Sequence, residues 1–208
     1  MASPEEDRAA VARAERRAQI LVAAKEVFAD VGYHEASINA IIERAGIARG
    51  TFYLYFTSKA AVFDALLDEA MGALRKRITR IDVDDPTAPP PQVQLREGLV
   101  RILDYVLSDR LLATILLAGA KAPEAEAATR LAAFFGEIHA VIRLALEHGI
   151  EMRLVRPCNV DVTAAALLGT VRGVIEYLVH PSSGATPPPV DAIVNDLIAV
   201  ALRGVLAS

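Results

Sequence analysis

Residues 37–59 read SINAIIERAGIARGTFYLYFTSK, and little local structure other than two short helices around a tight turn suits that order. Ser37 is a helix N-cap by chemistry, because its hydroxyl can accept from the free N–H groups of a first turn. The apolar spacing Ile38, Ile41, Ile42, Ala45 predicts one helical stripe that stops before Gly46. Gly46 supplies the positive φ that the turn needs, and Ile47 leads into a second short helix from Ala48 to about Tyr55. This is helix-turn-helix order.

The rest of the chain supports an all-helical body. Of its 208 residues 53% are hydrophobic and only 5% aromatic, so Ala, Leu, Val and Ile supply the core and favour helices over sheets. Prolines divide it. The run 86–91 and the stretch 181–189 cannot be helical, with minor stops at Gly32, Gly46, 57–58, 122–123 and 156–157. Helical spacing between these stops predicts about nine helices and no strand: 20–31, 38–45, 48–55, a long one from Lys59 that carries Ile78 and Ile81 on its apolar face, then segments around 95–106, 111–117, one opened by Pro123, 161–179 and 190–205. Three parts follow: a flexible arm over 1–16, a helix-turn-helix domain over 17–59, and a helical dimerisation and ligand-binding domain over 60–208.

Several functions are set aside by what the chain lacks. A single cysteine, Cys158, permits no intramolecular disulfide and no cysteine zinc cage, and with a charged, alanine-rich N-terminus that has no apolar signal core it predicts a cytoplasmic location. The most membrane-like stretch, 164–179, holds Arg172 and Glu176 and is shorter than the roughly 20 residues of a span, so a buried helix is expected and no membrane partner. His34, His139, His148 and His180 have no metal-ligand spacing, and no catalytic triad, phosphate loop or dinucleotide fingerprint is present. No enzyme activity, metal or cofactor is therefore expected. A helical-bundle enzyme or adaptor fused to the head would need convergent polar residues in the core, and the sequence offers none.

Net charge is −4, unusual for a protein that grips phosphates, yet the charges are unevenly spread. Arg8, Arg13, Arg16, Arg17 and Lys25 face only Glu15 between positions 8 and 25, while Glu124, Glu126, Glu137, Glu147 and Glu151 lie in the second half. The basic end suits an anion. In a helix-turn-helix the second helix enters the DNA major groove and its first residues meet base edges. Arg49 is placed for guanine O6 and N7, Gly50 for close backbone approach, and Thr51 for a thymine methyl or a phosphate. Tyr53 and Tyr55 present hydroxyls where the helix leaves the groove. Lys59 adds a cation behind the capping residues Thr57 and Ser58, and Ser37 sits at a second helix start, both suited to phosphates.

From Ile20 through Leu67 the sequence resembles the DNA-binding head of the tetracycline-repressor (TetR) family of bacterial regulators, in the spacing of Ala24, Phe28, Gly32, Ser37, Ile41, Ala45, Gly46, Gly50, Tyr53, Phe56 and Lys59. The resemblance covers about a quarter of the chain at motif level. Many relatives carry Thr where Ser37 stands; the hydroxyl is retained. The resemblance implies an all-helical homodimer that binds a pseudo-palindromic operator, acts as a repressor, and is released by a small apolar or amphipathic inducer held in the C-terminal domain. It places the dimer interface on the last two long helices, about 161–180 and 189–206. Gly169 and Gly173, spaced GxxxG, fit close helix contact there or equally tight packing inside one subunit.

For the ligand, the polar candidates on helices are Asp104, Tyr105, His139, Arg143, Glu176 and Tyr177, whereas Glu97 and Arg101 are expected to form an exposed pair one turn apart. The alternative is a DNA-binding regulator with no small-molecule ligand, controlled by a protein partner or by abundance.

Overall fold

A computed structural model of the chain describes residues 4–118, 125–179 and 187–202. Nine α-helices are present among the described residues and no strand: α1 (Pro4–Glu35), α2 (Ile38–Ala45), α3 (Arg49–Tyr53), α4 (Lys59–Arg75), α5 (Pro91–Ser108), α6 (Arg110–Ala118), α7 (Ala125–Glu151), α8 (Val160–Val179) and α9 (Val190–Leu197), followed by a π-helical turn at Ile198–Leu202. Pro123 and His180 lie outside the described residues, as do residues 203–205 of the helix expected over 190–205.

The chain packs as two units. One comprises Met1–Ala70 with Thr114–Leu131, the other Met71–Ala113 with Ala132–Ser208. The division falls inside α4, α6 and α7, whereas the sequence reading places its boundary between 59 and 60.

In the first unit, α1 supplies Ile20, Leu21, Ala24, Val27 and Phe28 to a core completed by Ile41, Phe52, Phe56, Val62 and Phe63. Phe28 meets Phe63 edge-on at 5.7 Å between ring centroids, a favourable aromatic geometry. Polar ties fix α2 against α1. Gln19 donates to the Ala45 carbonyl at 2.6 Å, and Arg44 reaches both Glu26 and Asp30 at 3.1 Å. Those two carboxylates, Glu26 first, hold the Arg44 guanidinium above its ordinary pKa. Residues 4–16, expected as a flexible arm, are helical and continuous with the rest of α1. The alanine-rich sequence favours that, and Glu5, Glu6 and Asp7 in the first turn complement the helix dipole.

The second unit is built around Leu103 of α5, Leu178 of α8, and Ile193, Val194 and Leu197 of α9. Pro91 opens α5 at a position where its missing N–H loses nothing. Three expectations are corrected here. First, the helix from Lys59 stops at Arg75 and leaves Ile78 42% exposed. The β-branched run Ile78, Thr79, Ile81 is a poor helix continuation, and the Arg77 side chain closes the end by donating to the Ala73 carbonyl at 2.9 Å.

Second, α8 is neither short nor buried. It runs 20 residues, long and apolar enough by length and composition to cross a membrane, and buries within the chain only Ala164, Leu178 and Val179. Arg172, which argued for a buried helix, instead lies over the Phe135 ring, 4.5 Å from its centroid. Third, Arg101 donates to Thr79 at 2.8 Å instead of pairing with Glu97. The shortened α4 is the reason, because it leaves Thr79 in a loop where its hydroxyl is available.

Candidate nucleic-acid interface

The turn has the geometry that its residues dictate. Gly46 takes φ 62° and ψ 37°, and its N–H reaches the carbonyls of Glu43 and Ile42, closing α2. At the other end of α2, Ser37 Oγ accepts from the Ala40 N–H at 3.1 Å. That cap uses the hydroxyl as an acceptor and leaves its hydrogen to donate outward.

Phe52 orients α3. It is fully buried and stacks edge-on with Tyr53 at 5.4 Å and against Phe56 at 6.1 Å, so the opposite side of a five-residue helix must face outward. Arg49 and Gly50 are exposed, Tyr53 is 44% exposed, and Thr51 and Tyr55 are half-buried. A Cβ built on Gly50 would meet nothing within 4 Å. The space over this residue is open for a nucleic-acid edge to fill.

Arg49 ties the reading face together. Its guanidinium donates to Asn39 Oδ1 at 3.3 Å and lies 5.8 Å from the Tyr53 ring centroid. Asn39 belongs to the first turn of α2, next to Ser37, so the two helix starts share one polar surface. Sequence reasoning missed Asn39. An exposed amide two residues beyond the cap was the signal, but its link to Arg49 is tertiary.

Lys59, expected as a phosphate cation, makes contacts within the chain. Its ammonium donates to the carbonyls of Tyr33 at 2.7 Å and His34 at 3.2 Å, and sits 4.3 Å from the Tyr33 ring centroid. The cause is a break in α1 at Gly32, with φ 79° and ψ 164°, which leaves carbonyls at a helix end for a cation to satisfy. Lys59 thus holds the start of α4 to the end of α1.

None of the six ligand candidates is buried. Asp104, Glu176 and Tyr177 are exposed, Tyr177 at 57%. Tyr105 lies under the Arg77 guanidinium at 4.3 Å, His139 Nε2 meets the Asp161 carbonyl at 3.0 Å, and Arg143 pairs with Glu147 one turn on. None of them lines the open surface cavity of about 470 Å³ that Asp82, Val83, Pro86, Met152 and Leu154 help to enclose. Helical period alone cannot tell a polar residue that faces a cavity from one that faces solvent.

Comparison with known proteins agrees with this geometry. Residues 20–66 match the model of the bacterial regulatory proteins of the tetR family, and residues 88–179 match a tetracyclin repressor-like C-terminal domain. The HTH-type transcriptional activator FasR of Mycolicibacterium smegmatis is 33% identical over 101 residues, 47% of this chain and 43% of that protein. The fatty acid metabolism regulator protein of Bacillus subtilis is 43% identical over 60 residues, 29% of this chain and 31% of that one. The chain thus spans less than half the length of these curated relatives.

Over the whole fold, the fatty acid degradation regulator FadR from Bacillus halodurans superposes with a TM-score of 0.77 at 23% identity, covering 91% of this chain and 95% of that one. FadR from Bacillus subtilis in complex with stearoyl-CoA gives 0.73 at 22%, covering 89% and 97%. At such identities the likeness is one of fold. With its head and its C-terminal helices each matched in order, and a turn and reading helix of the required geometry, the chain belongs to the tetR family of bacterial DNA-binding transcriptional regulators.

Proposed function

We propose that the chain acts as a homodimer that reads a pseudo-palindromic operator with one α3 per half-site, represses from it, and is released by a small amphipathic ligand. The observation that carries the reading is α3 itself, anchored by a fully buried Phe52 and presenting Arg49, Gly50 and Tyr53 outward. In this reading Arg49 and Thr51 meet bases, and Ser37, Tyr53 and Tyr55 meet phosphates, with Gly50 letting the backbone come close. Lys59 positions the head without gripping DNA.

The face of α8 supports the dimer. Val162 is 65% exposed, Tyr177 57%, and a Cβ at Gly169 or Gly173 would meet nothing within 4 Å, so an apolar helix lacks cover that a second copy would supply. For the ligand, two relatives are named for fatty acid control and one related structure holds stearoyl-CoA. Every buried side chain among the described residues is hydrophobic, which suits an acyl chain better than a polar molecule. That none of the six polar candidates is buried favours, as a second reading, a regulator with no small-molecule ligand.

Selection of binding sites from random DNA tests the head. The expected result is a two-fold symmetric site with half-sites about 34–36 Å apart. Arg49→Ala should lose about 1–3 kcal/mol on that site and little on random DNA. No enriched sequence would sink the reading. Titrating long-chain acyl-CoA into the complex tests release: dissociation supports the ligand, tighter binding would make the ligand a co-repressor and overturn release, and no change selects the second reading.

A further inference from the structure

Base reading by α3 depends on α2: we infer that Asn39 is a positioning residue, whose amide oxygen sets the direction of the Arg49 guanidinium and so sharpens the choice of base that Arg49 makes. The inference rests on the base-reading role proposed for α3, and it adds a residue that acts on Arg49 and not on DNA. Arg49 opens α3 and is exposed, as is Gly50 beside it, where a Cβ would meet nothing within 4 Å. A long side chain in that place needs a support from elsewhere to keep one direction.

Two contacts hold it, and they constrain different things. The guanidinium carbon lies 5.8 Å from the Tyr53 ring centroid, and Nη1 donates to Asn39 Oδ1 at 3.3 Å. A ring face attracts a cation above it but leaves the planar fork free to turn. A hydrogen bond weakens steeply as its angle worsens, so the bond to Asn39 is the one that fixes direction. A guanidinium has donors only. The amide atom that meets it is therefore the oxygen, and the remaining N–H groups stay available for a base. Bidentate contact with guanine O6 and N7 uses two of them and requires the fork to arrive in the right orientation.

Charge separates Arg49 from two other arginines of the head. Arg44 is held by Glu26 and Asp30, and Arg17 by Glu69, so carboxylates of the chain itself offset both charges. Arg49 is held by a neutral amide, which orients the fork and leaves its charge for DNA. The amide stands on a fixed support. Ser37 caps the turn that carries it, accepting from the Ala40 N–H at 3.1 Å, and Gln19 of α1 donates to the Ala45 carbonyl at the other end of α2 at 2.6 Å. Direction thus passes from α1 through α2 to the Arg49 side chain. A fork held this way before DNA arrives loses less freedom on binding, and it does not swing to suit a wrong base.

The test measures binding of the full-length protein to the selected operator, to versions of it with each half-site base pair changed in turn, and to random DNA. Asn39 is exposed, so its substitution leaves the core of the head intact. Arg49→Ala should abolish the choice of base at one position. Asn39→Ala should reduce the choice at that same position by about two- to tenfold, as for one hydrogen bond, and leave binding to random DNA as in the wild type. Asn39→Asp keeps an acceptor for the guanidinium and should keep the choice, although its charge weakens binding to every sequence at low salt. Added to Arg49→Ala, Asn39→Ala should change base choice no further, because its effect runs through the arginine. Loss of choice at a different position overturns the inference and makes Asn39 a base reader in its own right. An equal loss on all sequences overturns it too, as does an aspartate variant that loses the choice as alanine does. If Arg49→Ala leaves base choice intact, the reading of α3 itself fails, and Asn39 has nothing to position.

Discussion

Helices α3 and α8 both leave a face uncovered in the single chain, and the difference between those faces says which partner each needs. The five residues of α3 would not hold a helix alone; Phe52 in the core holds them, and what they expose is a guanidinium, a bare backbone and a phenol. Such groups gain from hydrogen bonds and phosphates. The twenty residues of α8 expose Val162 and Tyr177 beside two glycines. That surface gains from leaving water. One chain therefore carries a polar exposed face on a helix that is fixed by packing, and an apolar exposed face on a helix that is itself only partly packed.

Removing the anchor of the first should give the largest effect. Phe52→Ala takes a fully buried ring out of the head and should destabilise the protein by about 3–5 kcal/mol, read from denaturant unfolding. DNA binding should go with it, while the mass of the particle in solution stays that of the wild type. An unchanged unfolding midpoint would mean that α3 is not held by its core residue.

The second face is probed by Tyr177→Ala. At 57% exposure the ring adds little to the fold of one chain, but as an aromatic anchor in a two-fold interface it should be worth at least about 2 kcal/mol, roughly 30-fold in the dimer dissociation constant. Sedimentation at decreasing concentration measures this. A dimer that dissociates as the wild type does would move the interface off this part of α8.

Within the head, Lys59→Met separates holding the fold from holding DNA. It removes charge-assisted hydrogen bonds to two carbonyls, a loss of about 1.5 kcal/mol or somewhat more in stability, and keeps the length of the side chain. The salt dependence of DNA binding should be unchanged. A slope flatter by about one would restore Lys59 to the phosphate contacts.

How far such roles can be read in advance differs between the two regions for a physical reason. The turn was legible because its geometry is local: only a glycine takes φ 62° without strain at position 46, and Ser37 caps whichever helix follows it. Helix identity was legible from apolar period. Helix ends were less so, since Ile78 and Ile81 continue the period of α4 although their β-branched run does not continue the helix. The contacts of Lys59 within the chain were not legible because its partners exist only where α1 breaks at Gly32, with Tyr33 26 residues away in sequence and adjacent in space. The face of α8 was misread for the opposite reason. An apolar helix reads as buried, and sequence does not say whether the burial is completed by the same chain or by another.

Ser37 offers the finest division between fold and function, with the smallest effect. Ser37→Ala deletes the cap on the Ala40 N–H and should lower stability by about 1 kcal/mol; it also deletes the outward hydroxyl, so weaker DNA binding alone would prove nothing. Ser37→Asp separates the two. Aspartate caps as well as serine does, and its charge suits a helix N-terminus, so stability should be kept. The same charge would face a phosphate if one sits there, and binding to every sequence should then weaken, most of all at low salt where repulsion is least screened. Ser37→Thr keeps both cap and donor and should behave as the wild type. If the aspartate variant binds DNA as tightly as serine does, Ser37 is a helix cap alone, and the phosphate-facing surface of the head narrows to Tyr53 and Tyr55.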